Sequence, residues 1–363
     1  MALPLDLPAP APKLWMPKRV LVTKSALGWE HGQRMVARMR GLGLAVSELN
    51  GDRLTGLNND DPRRAYIDAK NTLAVVVAPP GKMRLQPIPP SADWRVDLAE
   101  GCPAHCQYCY LAGSLGGPPV TRAYANLPDI LGNLRAYLGK GNVTSKAGER
   151  QAEGTTFEAS CYTDPLGIEH LTGSLSEFIR FFGAWEEAVQ LRFTTKFDDV
   201  GPLLGLPHRR RTRVRFSVNA APLARKFEGG TAPLPARLDA MRRMALAGYP
   251  VGLTIAPIMP MEGWEEAYGA LLDDVAARLA PVPGLDLSVE LITHRFTPGS
   301  KEVLTGWYPA SKLEMDEEQR ARKMTKFRSV KYVYLPAQMK RMKVWFEDAV
   351  PRALPGARIL YWT

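Results

Sequence analysis

WRVDLAEGCPAHCQYCYLAG, residues 94–113, reads as a strand running straight into a loop that carries three thiols, Cys102, Cys106 and Cys109, spaced C-x3-C-x2-C. Thiolates are soft ligands suited to zinc or to an iron-sulfur centre. Three of them can hold three corners of a cubane cluster and leave the fourth iron without a protein ligand. The competing reading is a structural zinc site completed by His105 or Cys161, which the spacing alone permits. A structural zinc site closes its fourth position and often pairs two Cys-x-x-Cys knuckles, and no second knuckle occurs in the chain. Only four cysteines are present in 363 residues, so a disulfide framework explains the cluster poorly.

Working outward, strands and amphipathic stretches alternate from Trp94 onward. The strand candidates are WRVDLAEG, GTTFEASCY, VQLRFTTKF, RVRFSVNA, YPVGLTIAPI and LDLSVELIT. Between them lie LPDILGNLRAYLG, HLTGSLSEFIRFFGAW, LPARLDAMRRMALAG and WEEAYGALLDDVAARLA. Six βα units predict a parallel barrel. Roughly 200 residues are available where a full eight-unit barrel takes about 250, so the fold class is α/β, a partial (β/α)6 TIM-type barrel over residues 93–300. Residues 1–92 form a small N-terminal α/β extension, with KRVLVTKSA and NTLAVVVAPP as strands flanking the helical HGQRMVARMRGLG. Residues 301–363 form a C-terminal basic hairpin and helix segment packed on the barrel, and the helix near 336–350 finishes the chain. The polar, glycine-bearing stretch 139–154 is expected to be a mobile loop.

Composition is that of a soluble globular protein, with 45% hydrophobic and 23% charged residues. No apolar run is long enough to span a bilayer, and the proline-rich start lacks the features of a signal peptide. A cytoplasmic protein with no membrane contact is expected. Lys and Arg exceed Asp and Glu by 47 to 37, a net charge of +10. Two basic runs stand out: Arg209, Arg210, Arg211, Arg213, Arg215, Arg225 and Lys226 in one, and the stretch from Gln319 to Lys343 in the other. They point to a polyanionic partner such as nucleic acid.

The cysteine spacing, its place after the first barrel strand and Tyr108 just before the last thiol resemble the radical S-adenosylmethionine superfamily. In that chemistry the vacant iron chelates S-adenosylmethionine through its amino and carboxylate groups. GCPAHCQYCYL resembles the cluster loop of the spore photoproduct lyase family, and FEASCYTDPLGIEHLTGSL resembles the family segment that carries its hydrogen-donating cysteine. FTTKF, RFSVNA, LTIAPIMP, ELITHRFT and KYVY extend the likeness from Lys18 to Thr363.

The resemblance implies a carbon-carbon lyase that repairs a thymine photolesion in DNA directly, a 5′-deoxyadenosyl radical removing a hydrogen atom from the lesion. It implies a [4Fe-4S] cluster on Cys102, Cys106 and Cys109. It implies Cys161 as hydrogen donor and Tyr108 and Tyr110 as a radical relay. Thr163, Lys196, Ser217, Asn219 and the backbone at Ala256 would bind S-adenosylmethionine. Lys326, Arg328, Lys331 and Tyr332 would contact DNA, a flavodoxin- or ferredoxin-type protein would donate the electron, and the enzyme would be a monomer. The chain departs from the family pattern at Thr163, where serine is usual, and at Tyr162, which follows the donor. Lys326 and Arg328 both fit the place of the family's lesion-contacting arginine.

Read by themselves, these residues have plainer roles. A free cysteine in a strand is often a small buried hydrophobe. Ser217 and Asn219 share one face of a strand, which suits a ligand or a hydrogen-bonded core alike. Lys196 in an apolar strand demands a partner. The alternatives are a radical enzyme acting on another DNA photoadduct or nucleic-acid base, and a zinc-stabilised nucleic-acid-binding protein without catalysis.

Overall fold

The structure is a computed structural model that describes residues 11–57, 60–114, 119–324 and 329–363. Six strands, Ala92–Val96, Thr155–Ala159, Val189–Thr195, Thr212–Val218, Val251–Ile258 and Leu287–Thr293, lie side by side in chain order and all run parallel. The expected partial barrel is therefore present. Arg358–Trp362 adds a seventh parallel strand beside Leu287–Thr293, and Gln86–Ile88 pairs antiparallel with the opposite edge. The chain thus ends in the barrel wall and not in the helix Pro336–Ala353, as the sequence reading had it.

Period-2 alternation sorts the side chains of these strands. Phe157 points outward, meets Phe182 of the helix Ser174–Ala184 edge-on and stacks on Trp185 just after that helix. Val214, Phe216 and Val218 join the same buried core. The alternate positions point inward and are charged. Arg215 sits between Glu158 and Glu290, 2.9 Å from the latter, and Gly252 leaves it room, since a Cβ there would lie 2.7 Å from its Cγ. Arg192 reaches Glu153 at 2.5 Å and Arg213 reaches Asp286 at 3.0 Å.

Three expectations change here. Arg213 and Arg215 are neutralised inside the barrel, and Arg209, Arg210 and Arg211 precede the strand start at Thr212, at the end of the barrel opposite the strands' C-termini. Arg213 and Arg215 are therefore not surface cations, and the first basic run is not one continuous patch. The stretch 139–154 is pinned and not a free loop, because the buried carboxylate of Asp93 accepts from Val143 N (2.7 Å), Thr144 N (3.0 Å) and Thr144 Oγ1 (2.7 Å). The connection from the third to the fourth strand carries only a short 3-10 turn, Gly201–Leu203, in place of a helix; Pro202 and Pro207 remove the N–H groups a helix there would need.

A second sheet has the order Val46–Glu48, Arg19–Val22, Thr72–Val76, Thr121–Tyr124 and Ala99–Glu100, the last strand antiparallel. It takes strands from both sides of residue 92, so the loop that carries the three cysteines leaves one strand of this sheet and returns to another. Gly101 starts that loop at φ +78°, where a Cβ would lie 2.2 Å from the carbonyl oxygen of Val120; only glycine fits. Among the described residues no helix is long and apolar enough to cross a membrane.

Candidate active site

Active sites of parallel barrels lie at the C-terminal ends of the strands, and the sequence-derived candidates gather there. Cys102, Cys106 and Cys109 line one small pocket with Lys70, Tyr66 and Tyr308. Lys70 Nζ donates to the carbonyl oxygens of Cys102 and Ala104, bracing the loop from below. Burial pushes the Cys102 thiol up to about 11 and raises Cys106 and Cys109 as well. Among the described residues no three His, Cys, Asp or Glu side chains stand close enough to hold a single metal ion. A cubane spreads its thiolates over separate irons, and three thiols on one pocket wall match the three protein ligands that such a cluster takes.

The loop is tied to the barrel through a residue the sequence reading passed over. His105–Cys106 pairs antiparallel with Glu228–Gly229, which brings the Glu228 carboxylate under the loop. That carboxylate accepts from the Tyr108 hydroxyl and from Lys196 Nζ at 2.9 Å, and Arg237 lies 2.6 Å from its second oxygen. Despite burial, Lys196 and Arg237 hold Glu228 down at about 2. Lys196 Nζ also donates to Ser217 Oγ at 2.8 Å and to the Ala256 carbonyl at 3.4 Å. Lys196, Ser217 and Ala256, named from sequence as one binding set, do converge.

Two cations share one carboxylate here, leaving a net positive charge in a buried site. That suits the carboxylate of an amino-acid moiety. Thr163 sits at the same rim, and among the described residues its buried Oγ1 has no hydrogen-bond partner. Asn219 is placed differently. Its Oδ1 accepts from the Tyr268 hydroxyl and the Ala220 amide, and its amide donates to Pro257 O. The fold thus uses most of its polar capacity.

Cys161 follows Ser160, a non-glycine residue at φ 59° whose Oγ accepts from Leu98 N at 2.9 Å. The turn ends the second barrel strand sharply and turns the chain at the rim. Tyr110 on the cysteine loop donates its hydroxyl to the Cys161 carbonyl. Burial, with Glu158 and Asp97 nearby, pushes the Cys161 thiol well above its ordinary range, so it stays S–H at neutral pH. The neighbouring Tyr162 ring lies between Lys82 Nζ (4.9 Å) and the Arg95 guanidinium (4.4 Å).

Of the expected DNA contacts, Lys326 and Arg328 lie outside the described residues. Lys331 and Tyr332 are on the hairpin Ala321–Met324 and Val330–Val333, where Lys331 stands directly opposite Lys323. A backbone bridge joins Phe296 to Tyr332, and the two rings stack at 5.3 Å. By strand alternation, Arg295 then shares the face of Lys323 and Lys331. Like charges set opposite each other are unfavourable, and among the described residues none of the three has an acidic partner. Arg295 was missed in sequence because no local pattern marks a cross-strand neighbour, whereas Lys323 lies within the basic run from Gln319 to Lys343.

The family model for spore photoproduct lyase matches residues 15–363. The chain belongs to the spore photoproduct lyase family. A spore photoproduct lyase of Geobacillus sp. (strain Y412MC61) is 37% identical over 352 residues, covering 97% of this chain and 100% of the relative. That of Bacillus subtilis (strain 168) is 36% identical, covering 96% and 99%. Among solved structures, a spore photoproduct lyase mutant with bound AdoMet and dinucleoside spore photoproduct superposes with a TM-score of 0.88 at 35% identity, covering 97% of this chain and 100% of the other. A spore photoproduct lyase complexed with dinucleoside spore photoproduct gives 0.87 at 36% identity with the same coverage. Membership in the spore photoproduct lyase family favours the cluster reading of the three thiols over the zinc reading.

Proposed function

We propose that this chain is a radical S-adenosylmethionine lyase that returns the spore photoproduct, two methylene-bridged thymines in DNA, to two thymines. The observation that carries this reading is one connected line of contacts. Tyr108 joins the cysteine loop to Glu228 and Lys196, and Tyr110 joins the same loop to Cys161. Cluster ligands, cofactor residues and hydrogen donor thus share one rim.

Cys102, Cys106 and Cys109 would hold the [4Fe-4S] cluster, and Lys196, Ser217, Thr163 and the Ala256 carbonyl would hold S-adenosylmethionine. Together, when bound, these groups supply hydrogen-atom abstraction from the substrate after one-electron cleavage of the sulfonium. The residues of the chain do the rest. Lys196 and Arg237 set the positive field that orients a carboxylate, and Thr163 Oγ1 offers a free hydroxyl. Cys161, kept protonated by its burial, gives its hydrogen atom to the thymine carbon radical left by bond scission. The thiyl sulfur then takes the phenolic hydrogen atom of Tyr110, and the Tyr110 oxygen takes that of Tyr108, which restores Cys161 and Tyr110 and leaves the radical on Tyr108 beside the cofactor residues.

A lesion inside an intact duplex cannot reach a barrel rim, so the crosslinked bases must leave the stack. Arg295, Lys323 and Lys331 offer phosphate contacts while they do so, with Tyr332 on the same hairpin, and Lys326 and Arg328 are kept as DNA contacts on the family resemblance alone. A flavodoxin- or ferredoxin-type protein supplies the electron, and the enzyme works as a cytoplasmic monomer. The test is anaerobic incubation of reduced protein with S-adenosylmethionine and dinucleoside spore photoproduct, with products identified by mass. Thymidine is expected. Release of 5′-deoxyadenosine without thymidine would reassign the substrate, and formation of neither product would overturn the reading.

A further inference from the structure

Two cations of the first basic run, Arg225 and Lys226, are exposed, and among the described residues neither has an acidic partner. The fold sets them against the cysteine loop. They end the helix Ala221–Phe227, directly before Glu228–Gly229, which pairs with His105–Cys106. Gln107, between Cys106 and Cys109, is the joint. Its backbone N–H donates to Phe227 O at 2.9 Å, its side-chain amide donates to Lys226 O at 3.4 Å, and its Oε1 accepts from Ser311 Oγ at 2.6 Å. The last contact brings up Lys312, a third exposed cation without an acidic partner, while Glu314 two residues on is engaged by Arg320 at 2.9 Å. The turn that closes from Ser311 back to Tyr308 leads to Tyr308 and Trp307, half-buried rings that line the pocket of the three cysteines.

Tyr108 turns inward to Glu228 and, through it, Lys196, whereas Gln107 turns outward to these exposed segments. In the proposed reaction the inner side belongs to cofactor and substrate, so the electron that the reaction consumes arrives from the outer side. Resting on that reading, we infer that Arg225, Lys226 and Lys312, with Trp307 at their edge, form the docking surface of the electron donor, a small acidic flavin or iron-sulfur protein. Charge decides the class of partner: an unpaired positive patch steers and orients a negatively charged protein surface, and a half-buried aromatic ring supplies the apolar contact. One electron crosses, oxidising the donor by one and reducing the cluster-bearing protein by one, and no bond is made or broken. DNA is the other polyanion, but its face lies elsewhere. Phe296, stacked on Tyr332 of the hairpin, stands just before the helix Pro298–Trp307 and Trp307 ends it, and a helix of 10 residues spans about 15 Å.

The test uses the full chain, reconstituted anaerobically, and an acidic flavodoxin as probe. Oxidised flavodoxin is titrated calorimetrically into wild type and into the combined variant Arg225→Glu, Lys226→Glu and Lys312→Glu at low and higher salt. Reduced flavodoxin is then mixed rapidly with each, and bleaching of the iron-sulfur absorbance is followed. Reversal of the three exposed charges should weaken binding and slow reduction by about 10- to 100-fold at low salt, and should remove most of the salt dependence seen with wild type. Photoreduced deazaflavin, a small reductant that needs no docking surface, should reduce both proteins at the same rate, and both should bind duplex DNA equally. Flavodoxin that neither binds nor reduces wild type, or that treats variant and wild type alike, would overturn the assignment. So would equal slowing with both reductants, or a variant that loses DNA and keeps flavodoxin, since the face would then belong to nucleic acid. Neither assay contains S-adenosylmethionine or the lesion, so a failure of docking and a failure of repair are read separately; wild type with no reducible iron-sulfur absorbance would remove the proposed function and this surface with it.

Discussion

Replacing Glu228 by glutamine tests whether this buried carboxylate holds Lys196 and Arg237 in place. The substitution keeps shape and one acceptor but removes the charge shared by Lys196 at 2.9 Å and Arg237 at 2.6 Å. At an effective dielectric constant of about 20, each contact is worth about 6 kcal/mol of Coulomb attraction. Desolvation of the three groups offsets most of it, and breaking such a pair costs about 3–5 kcal/mol. Glutamine still accepts one bond, so Glu228→Gln should destabilise by about 3 kcal/mol and lower the melting temperature by about 4 °C. The assay is urea unfolding followed by tryptophan fluorescence, in a cycle with Lys196→Met. If the cost comes from stranding the cations, removing Lys196 as well should recover about 2 kcal/mol relative to the sum of the single changes. Additivity within about 0.5 kcal/mol would refute the reasoning.

Cys161→Ala should still release 5′-deoxyadenosine yet lose clean thymidine formation, read by product mass; unchanged repair would remove Cys161 from the mechanism. His31 is buried against Ser174, at 2.9 Å, and its pKa is lowered to about 4 by burial and then by Arg34 and Arg38. The unfolded chain takes up that proton near 6.5 and the folded chain only near 4. Stability is therefore full above pH 6.5 and falls by about 3 kcal/mol as pH drops to 4. His31→Gln should flatten that part of the stability curve, and an unchanged slope would place the effect elsewhere. Lys323→Ala and Lys331→Ala should each weaken DNA binding and reduce the slope of log affinity against log salt by about 1. Relief of the opposed lysines should leave hairpin stability the same or higher; an unchanged salt slope would take this face out of the interface.

Patterns confined to a few neighbouring residues were legible. C-x3-C-x2-C states its chemistry within eight positions, and RVRFSVNA shows by alternation alone that it is a strand with one apolar and one polar face. Sequence could not say what the polar face meets. Arg213 and Arg215 look like part of a basic surface until Asp286, Glu158 and Glu290, from other strands, are seen to neutralise them inside the barrel. Likewise the strand Arg358–Trp362 is too short to announce itself, and its identity depends on pairing with Leu287–Thr293 some seventy residues earlier.

The amino-acid sequence by itself determined the succession of strands and helices, the three thiols at the end of the first barrel strand, and the residue types able to hold a cofactor. Only the tertiary structure decided that Glu228, 120 residues from Tyr108, joins the cysteine loop to Lys196, and that Arg215 is neutralised by Glu158 and Glu290 inside the barrel. The reason is physical: periodicity and ligand spacing are properties of a short stretch of backbone. The environment of a charge depends on which distant segments close around it.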